Sequence, residues 1–206
     1  MGRTVSKRTA PREAPPNRLR IIGGRWRGTR IAFPDVASIR PSPDRVRETL
    51  FNWLQTSIAG ARCLDLFAGS GALGLEALSR GAAHVTFVDR EPRVGRHLTA
   101  TLQRLGSPDA VVRVEDALRW LRHDPRPFDI VFLDPPFASD LLQEACTRLC
   151  AGWLAPLAYL YLETSADAGL PALPAGWTVH RSGRAGQVGY HLLRAVRQDV
   201  VHPHAT

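Results

Sequence analysis

The chain is short of several things at once, and each shortage narrows what it can be. It has one methionine and three cysteines, and only one of its 27 basic residues, Lys7, is a lysine. Cys63, Cys146 and Cys150 are odd in number and have no partner set, which excludes a disulfide framework and argues against a structural metal; buried free thiols are expected. No apolar run approaches the roughly 18 residues that a membrane span needs. The N-terminal stretch is basic and proline-containing rather than apolar, so it does not read as a signal peptide. A soluble cytoplasmic protein without membrane attachment is the expectation, and the closing His202-Pro203-His204 reads as a frayed tail.

Acidic residues are nearly missing from the first 30 positions. Nine Lys or Arg face Glu13 alone there, while the remainder holds 18 basic and 18 acidic residues, so the whole net charge of +8 resides at one end. A basic extension on a neutral body reads as a polyanion-binding arm; the alternative is a solvated tail with no target. Residues 1–17 carry three prolines and no hydrophobic period and are expected to be a disordered basic tail. Residues 18–40 form an extension built on a small hairpin, with strands over 19–22 and 29–33 and a tip at Gly23-Gly24-Arg25-Trp26-Arg27-Gly28. The main domain spans 41–198, and 199–206 is a second tail.

Within the main domain a helix is expected over 43–58, from Val46, Leu50, Trp53 and Leu54 at helical spacing. Apolar strands then alternate with helices: strand 61–66, helix 71–80, strand 84–88, helix 91–105, strand 110–115, helix 116–123, strand 128–133, helix 139–150 and strand 157–163. That alternation implies an α/β fold, a doubly wound, mostly parallel seven-stranded sheet of the Rossmann-like kind. The end departs from it. Strands 178–182 and 187–195 follow one another without a helix, so a C-terminal hairpin places an antiparallel strand in the sheet.

Gly69-Ser70-Gly71-Ala72-Leu73-Gly74 gives the G-x-G-x-x-G spacing of a tight strand-to-helix turn that lets a ligand approach the backbone. Asp89 lies 20 residues after Gly69, where an acid holds ribose hydroxyls, and a dinucleotide-dependent oxidoreductase shares both features. Asp65, in the lead-in to the turn, favours S-adenosylmethionine instead: a carboxylate repels a pyrophosphate but suits a sulfonium and an amino group. Glu115-Asp116 ends the third strand, where an acceptor for an adenine amine is needed, although Asp116 also suits a helix N-cap. Asp134-Pro135-Pro136-Phe137 follows an apolar strand 65 residues beyond the glycine turn. There a carboxylate and the Pro135 carbonyl, in a turn stiffened by Pro136, can accept the hydrogens of an exocyclic base amine, and Phe137 can stack on an extruded base.

These two motifs look like the cofactor and catalytic motifs of amino-directed nucleic-acid methyltransferases. Arg20-Ile21-Ile22-Gly23-Gly24-Arg25-Trp26-Arg27-Gly28 and the run Arg40-Pro41-Ser42-Pro43-Asp44-Arg45-Val46-Arg47-Glu48-Thr49-Leu50-Phe51-Asn52 resemble, more specifically, the RsmD family of small-subunit ribosomal RNA guanine-N2 methyltransferases. The resemblance runs from about Leu19 to Arg194. It implies methyl transfer from S-adenosylmethionine to the N2 amine of one guanine, by base flipping, as a step of ribosome biogenesis. The implied partner is ribosomal RNA or the assembled small subunit, and a monomer without metal is expected. The site expected on these grounds has Asp134, Pro135 and Phe137 as its catalytic group. Arg40, Ser42, Asp65, Phe67, Gly69, Gly71, Asp89, Arg90, Asp116 and Ala117 hold the cofactor, and Arg25, Trp26, Arg27, Arg45, Arg47 and Arg184 meet RNA. A DNA adenine-N6 or cytosine-N4 methyltransferase is the alternative within the class, weakened by the lack of a target-recognition insertion; a non-catalytic RNA-binding module is more distant.

Overall fold

A computed structural model describes residues 17–34, 42–135 and 141–196. The two tails, the Arg40-Pro41 step and Pro136-Phe137 lie outside the described residues. The chain opens with a hairpin, β1 (Asn17–Arg20) and β2 (Arg30–Phe33), paired antiparallel around a single 3-10 turn over Gly24–Trp26. Helix α1 (Asp44–Trp53) follows, then β3 (Arg62–Asp65), α2 (Ala72–Ser79), β4 (His84–Asp89), α3 (Pro92–Arg104), β5 (Ala110–Val114) and α4 (Ala117–Trp120). Next come β6 (Phe128–Leu133), α5 (Leu141–Leu149), β7 (Leu154–Ser165), β8 (Trp177–Ala185) and β9 (Val188–Val196).

The main sheet runs β5-β4-β3-β6-β7-β9-β8. Five neighbouring strands are parallel and β9 alone is inserted antiparallel, between β7 and β8, so the expected doubly wound sheet with a C-terminal hairpin is what the chain forms. Chain order reverses between β3 and β6, and in an open parallel sheet the crevice above the strand ends at such a switch point is where ligands bind. One face of the sheet is covered by the hairpin, α1, α2 and α3. The other is covered by α4 and α5 around Trp120, Phe128 and Trp153, with the two indoles 4.4 Å apart.

Several expected elements are shorter or longer than their hydrophobic pattern suggests. Helix α1 stops at Trp53, and the apolar period continues to Ile58 through tight turns, in which Gln55 and Ser57 donate to carbonyls three residues back. Helix α4 is a single turn: beyond Trp120 the Arg122 and His123 N–H groups donate to carbonyls three residues back, so the chain leaves the α-helical pattern ahead of Pro125. Strand β7 begins three residues early, at Leu154. Its register against β6 shifts between Phe128 and Ile130, and Pro156, which has no N–H to give a ladder, sits in that irregular stretch.

The hairpin is clamped to α2 by one carboxylate. Glu76 is fully buried and accepts the Ile22 and Gly23 backbone N–H groups, each at 2.8 Å, and Arg80 Nε at 2.7 Å. Ser79 extends the seam, donating to the Gly23 carbonyl at 2.6 Å and accepting from the Trp26 N–H at 3.0 Å. Gly24 lies so close to α2 that a Cβ would stand 1.9 Å from the Ser79 carbonyl oxygen, and its φ of +74° is a conformation that suits glycine. Arg47 of α1 is also fully buried. Its guanidinium donates to Asp44 at 2.6 Å and to the Arg20 carbonyl at 2.8 Å, and lies 3.6 Å from Glu76. Replacing Glu76 with Ala removes the partner of a buried guanidinium and orphans two backbone donors. The expected loss is about 3–5 kcal/mol of unfolding free energy, read by urea denaturation; a loss below about 1 kcal/mol would mean the seam is held by packing alone.

Candidate active site at the sheet switch point

The glycine turn between β3 and α2 is tight. Gly71 donates to the Ala68 carbonyl at 2.7 Å and has φ +75°, and a Cβ there would press within 2.4 Å of the Leu98 side chain. Two carboxylates brace the turn. Asp65 Oδ2 accepts the Gly74 N–H at 3.0 Å. Asp89, at the end of β4, accepts the Gly69 N–H on one oxygen and the Glu91 N–H on the other, both at 2.8 Å. Each carboxylate oxygen has a second lone pair, so Asp89 retains capacity for a ligand's hydroxyls.

Asp65 belongs to a row of three acids. It pairs with Phe132 across β3 and β6, and Phe132 pairs with Tyr161 across β6 and β7. Side chains alternate along a strand, so Asp134 and Glu163, each two residues further on, emerge on that same face. Leu133 pairs with Leu162, which brings Asp134 and Glu163 side by side at the strand ends. Asp65 and Glu163 are buried, and Asp134 keeps partial contact with solvent. The Ser42 hydroxyl, just ahead of α1, donates to Glu163 Oε1, and the Tyr161 hydroxyl donates to the same oxygen at 2.7 Å.

Among the described residues no arginine or histidine pairs with any member of this row, and the three acids are not arranged as a metal-holding group. Crowding and desolvation raise the proton affinity of carboxylates. Burial pushes Asp65 up to about 7, against the Gly74 hydrogen bond that favours its charge. Burial, Glu163 and Asp65 together push Asp134 well above the usual carboxylate range. Glu163 is raised by burial and held back by its two hydroxyl donors. The result is a cluster of acids at the switch point of a protein of high net positive charge.

Other expected site residues fall into three groups. Asp116 caps α4, accepting the Arg119 N–H at 3.0 Å, and Ala117 is buried behind it; Glu115 pairs with His123 at 3.1 Å. Phe67 packs against the α4–α5 side of the core, and Arg90 is exposed beside Asp89. Arg25, Arg27, Arg45 and Arg184 are exposed. Arg40 and Phe137 lie outside the described residues.

Two RNA-contact expectations need correction. Arg47 is enclosed by Asp44, Glu76 and the Arg20 carbonyl, so it is a core ion pair rather than an RNA contact. Trp26 is half-buried against the hydrophobic core, with the Arg25 guanidinium 4.2 Å from its ring centroid; a base could stack there only by displacing Arg25. Glu163 and Tyr161 were not expected. The signal for Glu163 was a lone acid in the apolar run Leu160-Tyr161-Leu162-Glu163-Thr164, on the strand beside the one that delivers Asp134. A separate cavity of about 610 Å³ is lined by Arg62, His84, Arg113, Glu115, His123 and Arg126, among others, and includes no member of this row.

A doubly wound sheet of this order, ending in an inserted antiparallel strand and carrying a glycine turn and an acid row at its switch point, defines the class of Rossmann-like methyltransferases. Comparison with known proteins narrows the class. The family described as Conserved hypothetical protein 95 matches residues 19–194. "Ribosomal RNA small subunit methyltransferase D" of Escherichia coli is 47% identical over 189 residues, covering 91% of this chain and 96% of that protein. The protein of the same name from Haemophilus influenzae is 44% identical, covering 84% and 92%. The solved structure "Putative methyltransferase yhhF from Escherichia coli" superposes with a TM-score of 0.83 at 46% identity, covering 88% of this chain and all of that one. The chain belongs to this family, that of the RsmD methyltransferases.

The row has a consequence for stability. The native carboxyl of Asp65 titrates at about 7, whereas an unfolded aspartate titrates near 3.9. The folded state therefore binds the proton more tightly, and that contribution is full below about pH 4 and lost as pH rises through about 7. Asp65→Asn, which keeps an acceptor for Gly74, is expected to gain on wild type across that window in the ligand-free protein and to be more thermostable at about pH 8. Melting curves over that range check it; a difference that does not vary with pH would place no titration at Asp65.

Proposed function

We propose that the protein transfers a methyl group from S-adenosylmethionine to the N2 amine of one guanine in small-subunit ribosomal RNA. The observation that carries this reading is the row Asp65, Asp134 and Glu163 beside the Gly69–Gly71 turn, in a chain nearly half identical to a relative named for ribosomal RNA methylation.

The residues present fit the cofactor. Buried carboxylates with no cation paired to them among the described residues suit a sulfonium and an ammonium group. Asp89 has lone pairs left for ribose hydroxyls, and the α2 N-terminus at Gly71 presents backbone N–H groups to a carboxylate. In this reading Asp116 and Ala117 hold the adenine and Phe67, Arg90 and Ser42 attend the cofactor, as does Arg40, which lies outside the described residues. Bound there, S-adenosylmethionine supplies an electrophilic methyl group on a positively charged sulfur.

The guanine amine is a poor nucleophile because its lone pair is delocalised into the ring. Asp134 and the Pro135 carbonyl accept its two hydrogens, which favours a pyramidal nitrogen with its lone pair aimed at the methyl group. In this reading the base leaves its stack to reach that turn and rests on Phe137. Alignment supplies most of the acceleration. Arg25, Arg27, Arg45 and Arg184 are the exposed cations that meet RNA phosphates. The enzyme acts in the cytoplasm as a monomer, on ribosomal RNA or the assembled subunit.

Asp134→Ala is expected to lower kcat by about a hundredfold or more while S-adenosylmethionine binds within a few fold of wild type. Methyl incorporation into ribosomal RNA alongside calorimetry checks this, and near-normal turnover would sink the mechanism. Replacing Arg25 and Arg27 together with alanine should weaken RNA binding and flatten its salt dependence by close to one unit of slope per lost phosphate contact, with cofactor binding unchanged. Affinity measured against salt decides it; an unaltered slope would move RNA recognition to Arg45 and Arg184.

A further inference from the structure

We infer that Glu163 is a positioning residue that makes Asp134 the proton acceptor of the reaction, by holding a fixed negative charge beside it. The inference rests on the methyl-transfer reading above and adds a role that neither glycine turn nor Asp-Pro-Pro motif supplies.

The geometry is set by strand pairing. The Leu133–Leu162 pair brings Asp134 and Glu163 out as neighbours on adjacent parallel strands, which lie about 4.8 Å apart. Glu163 is buried and held on one oxygen by two hydroxyls, Ser42 from ahead of α1 and Tyr161 from its own strand. Tyr190 of β9 is its partner on the other side. Asp134 faces Glu163 and Tyr161 from β7 and Asp65 from β3. Among the described residues these are carboxyls and phenols only, with no arginine or histidine in ion-pair contact.

The two acids are not equivalent. Hydroxyl donors stabilise the charged form of Glu163. Among the described residues Asp134 has no such donors, and Glu163 and Asp65 both oppose its charge. Burial raises both acids, but its two donors hold Glu163 back while burial and two neighbouring acids push Asp134 further up, so Glu163 ionises first and Asp134 gains the greater affinity for a proton. That asymmetry matters once the amine has been methylated and carries a surplus proton. The N–H bond breaks and leaves its electron pair on nitrogen, and an O–H bond forms on Asp134. An acceptor works best when its proton affinity suits the working pH, and an unperturbed aspartate falls well short. Glu163 touches no reacting atom; it acts through Asp134.

The test measures the Asp134 carboxyl directly. Its ¹³C resonance, assigned with Asp134→Asn, is titrated in the ligand-free protein. Glu163→Gln keeps size and an acceptor but removes charge, and should lower the Asp134 midpoint by about one pH unit or more. Glu163→Asp restores the charge and should bring the midpoint back toward wild type. In parallel, the acid limb of the single-turnover methylation profile should move down with Glu163→Gln, and the plateau rate should fall about tenfold with KM for RNA unchanged. If Glu163→Gln does not fold, Tyr161→Phe takes its place. It strips one donor from Glu163, lets that residue protonate sooner, and should lower the Asp134 midpoint in the same direction. An Asp134 midpoint that does not move in these variants overturns the inference, as does a Glu163→Gln protein whose only defect is weakened S-adenosylmethionine binding. If wild type methylates no guanine, the functional reading fails instead, while the carboxyl titration still reports on Glu163.

Discussion

The structure hangs on the burial of the Glu76 carboxylate. A charge taken out of water is costly unless geometry and hydrogen bonding compensate it, and Glu76 is compensated from three directions: the hairpin's backbone, Arg80 one turn on, and Arg47 across from α1. Because no one element supplies all the partners, none can leave without stranding the others. The hairpin is thereby a fixed part of the body, although its two four-residue strands form a separate two-stranded sheet. The helix that anchors it, α2, also opens with the Gly71 turn, so hairpin and turn share one rigid element.

The same molecule separates its charges by depth. Among the described residues exposed arginines stud the N-terminal hairpin, whereas carboxylates and phenols gather at the switch point. A polyanion is drawn to the first and a small cation to the second. A site that must bring a phosphate-rich substrate and a sulfonium together needs this segregation, since a mixed surface would attract neither strongly. The buried acids of the row reduce stability, as functional sites often do, and the cores on the two faces of the sheet offset that cost.

Much of this was legible in the residues. The alternation of apolar strands and helices gave the sheet, and the missing helix between β8 and β9 gave the antiparallel end, because both depend on local pattern. The G-x-G-x-x-G turn with Asp65 and Asp89, and Asp134 after β6, were readable because each occupies a characteristic place at a strand end. What was not legible depended on partners distant in sequence. Arg47 sits among charged and polar neighbours and reads as a surface residue; only its approach to Glu76, 29 positions away, puts it in the core. Trp26 between two arginines reads as a stacking platform until α2 is packed beneath it. Glu163 reads as the end of a strand, and its meaning comes from β7 lying next to β6. Helix ends were lost to the tight turns that follow both α1 and α4.

The position of β9 carries a consequence for synthesis. In the finished sheet β8 pairs only with β9, and β9 lies between β8 and β7. While the chain is being made, β7 can pair with β6, but β7 and β8 both emerge before β9, the neighbour each of them still lacks. The edge of β7, including the stretch that delivers Tyr161 and Glu163, stays open until residue 196 has been added. An open apolar edge is the hazardous state of a growing sheet. The strands that carry the acid row can therefore pair before β9 arrives, and what β9 adds is cover for the exposed far edge of β7 beside Glu163.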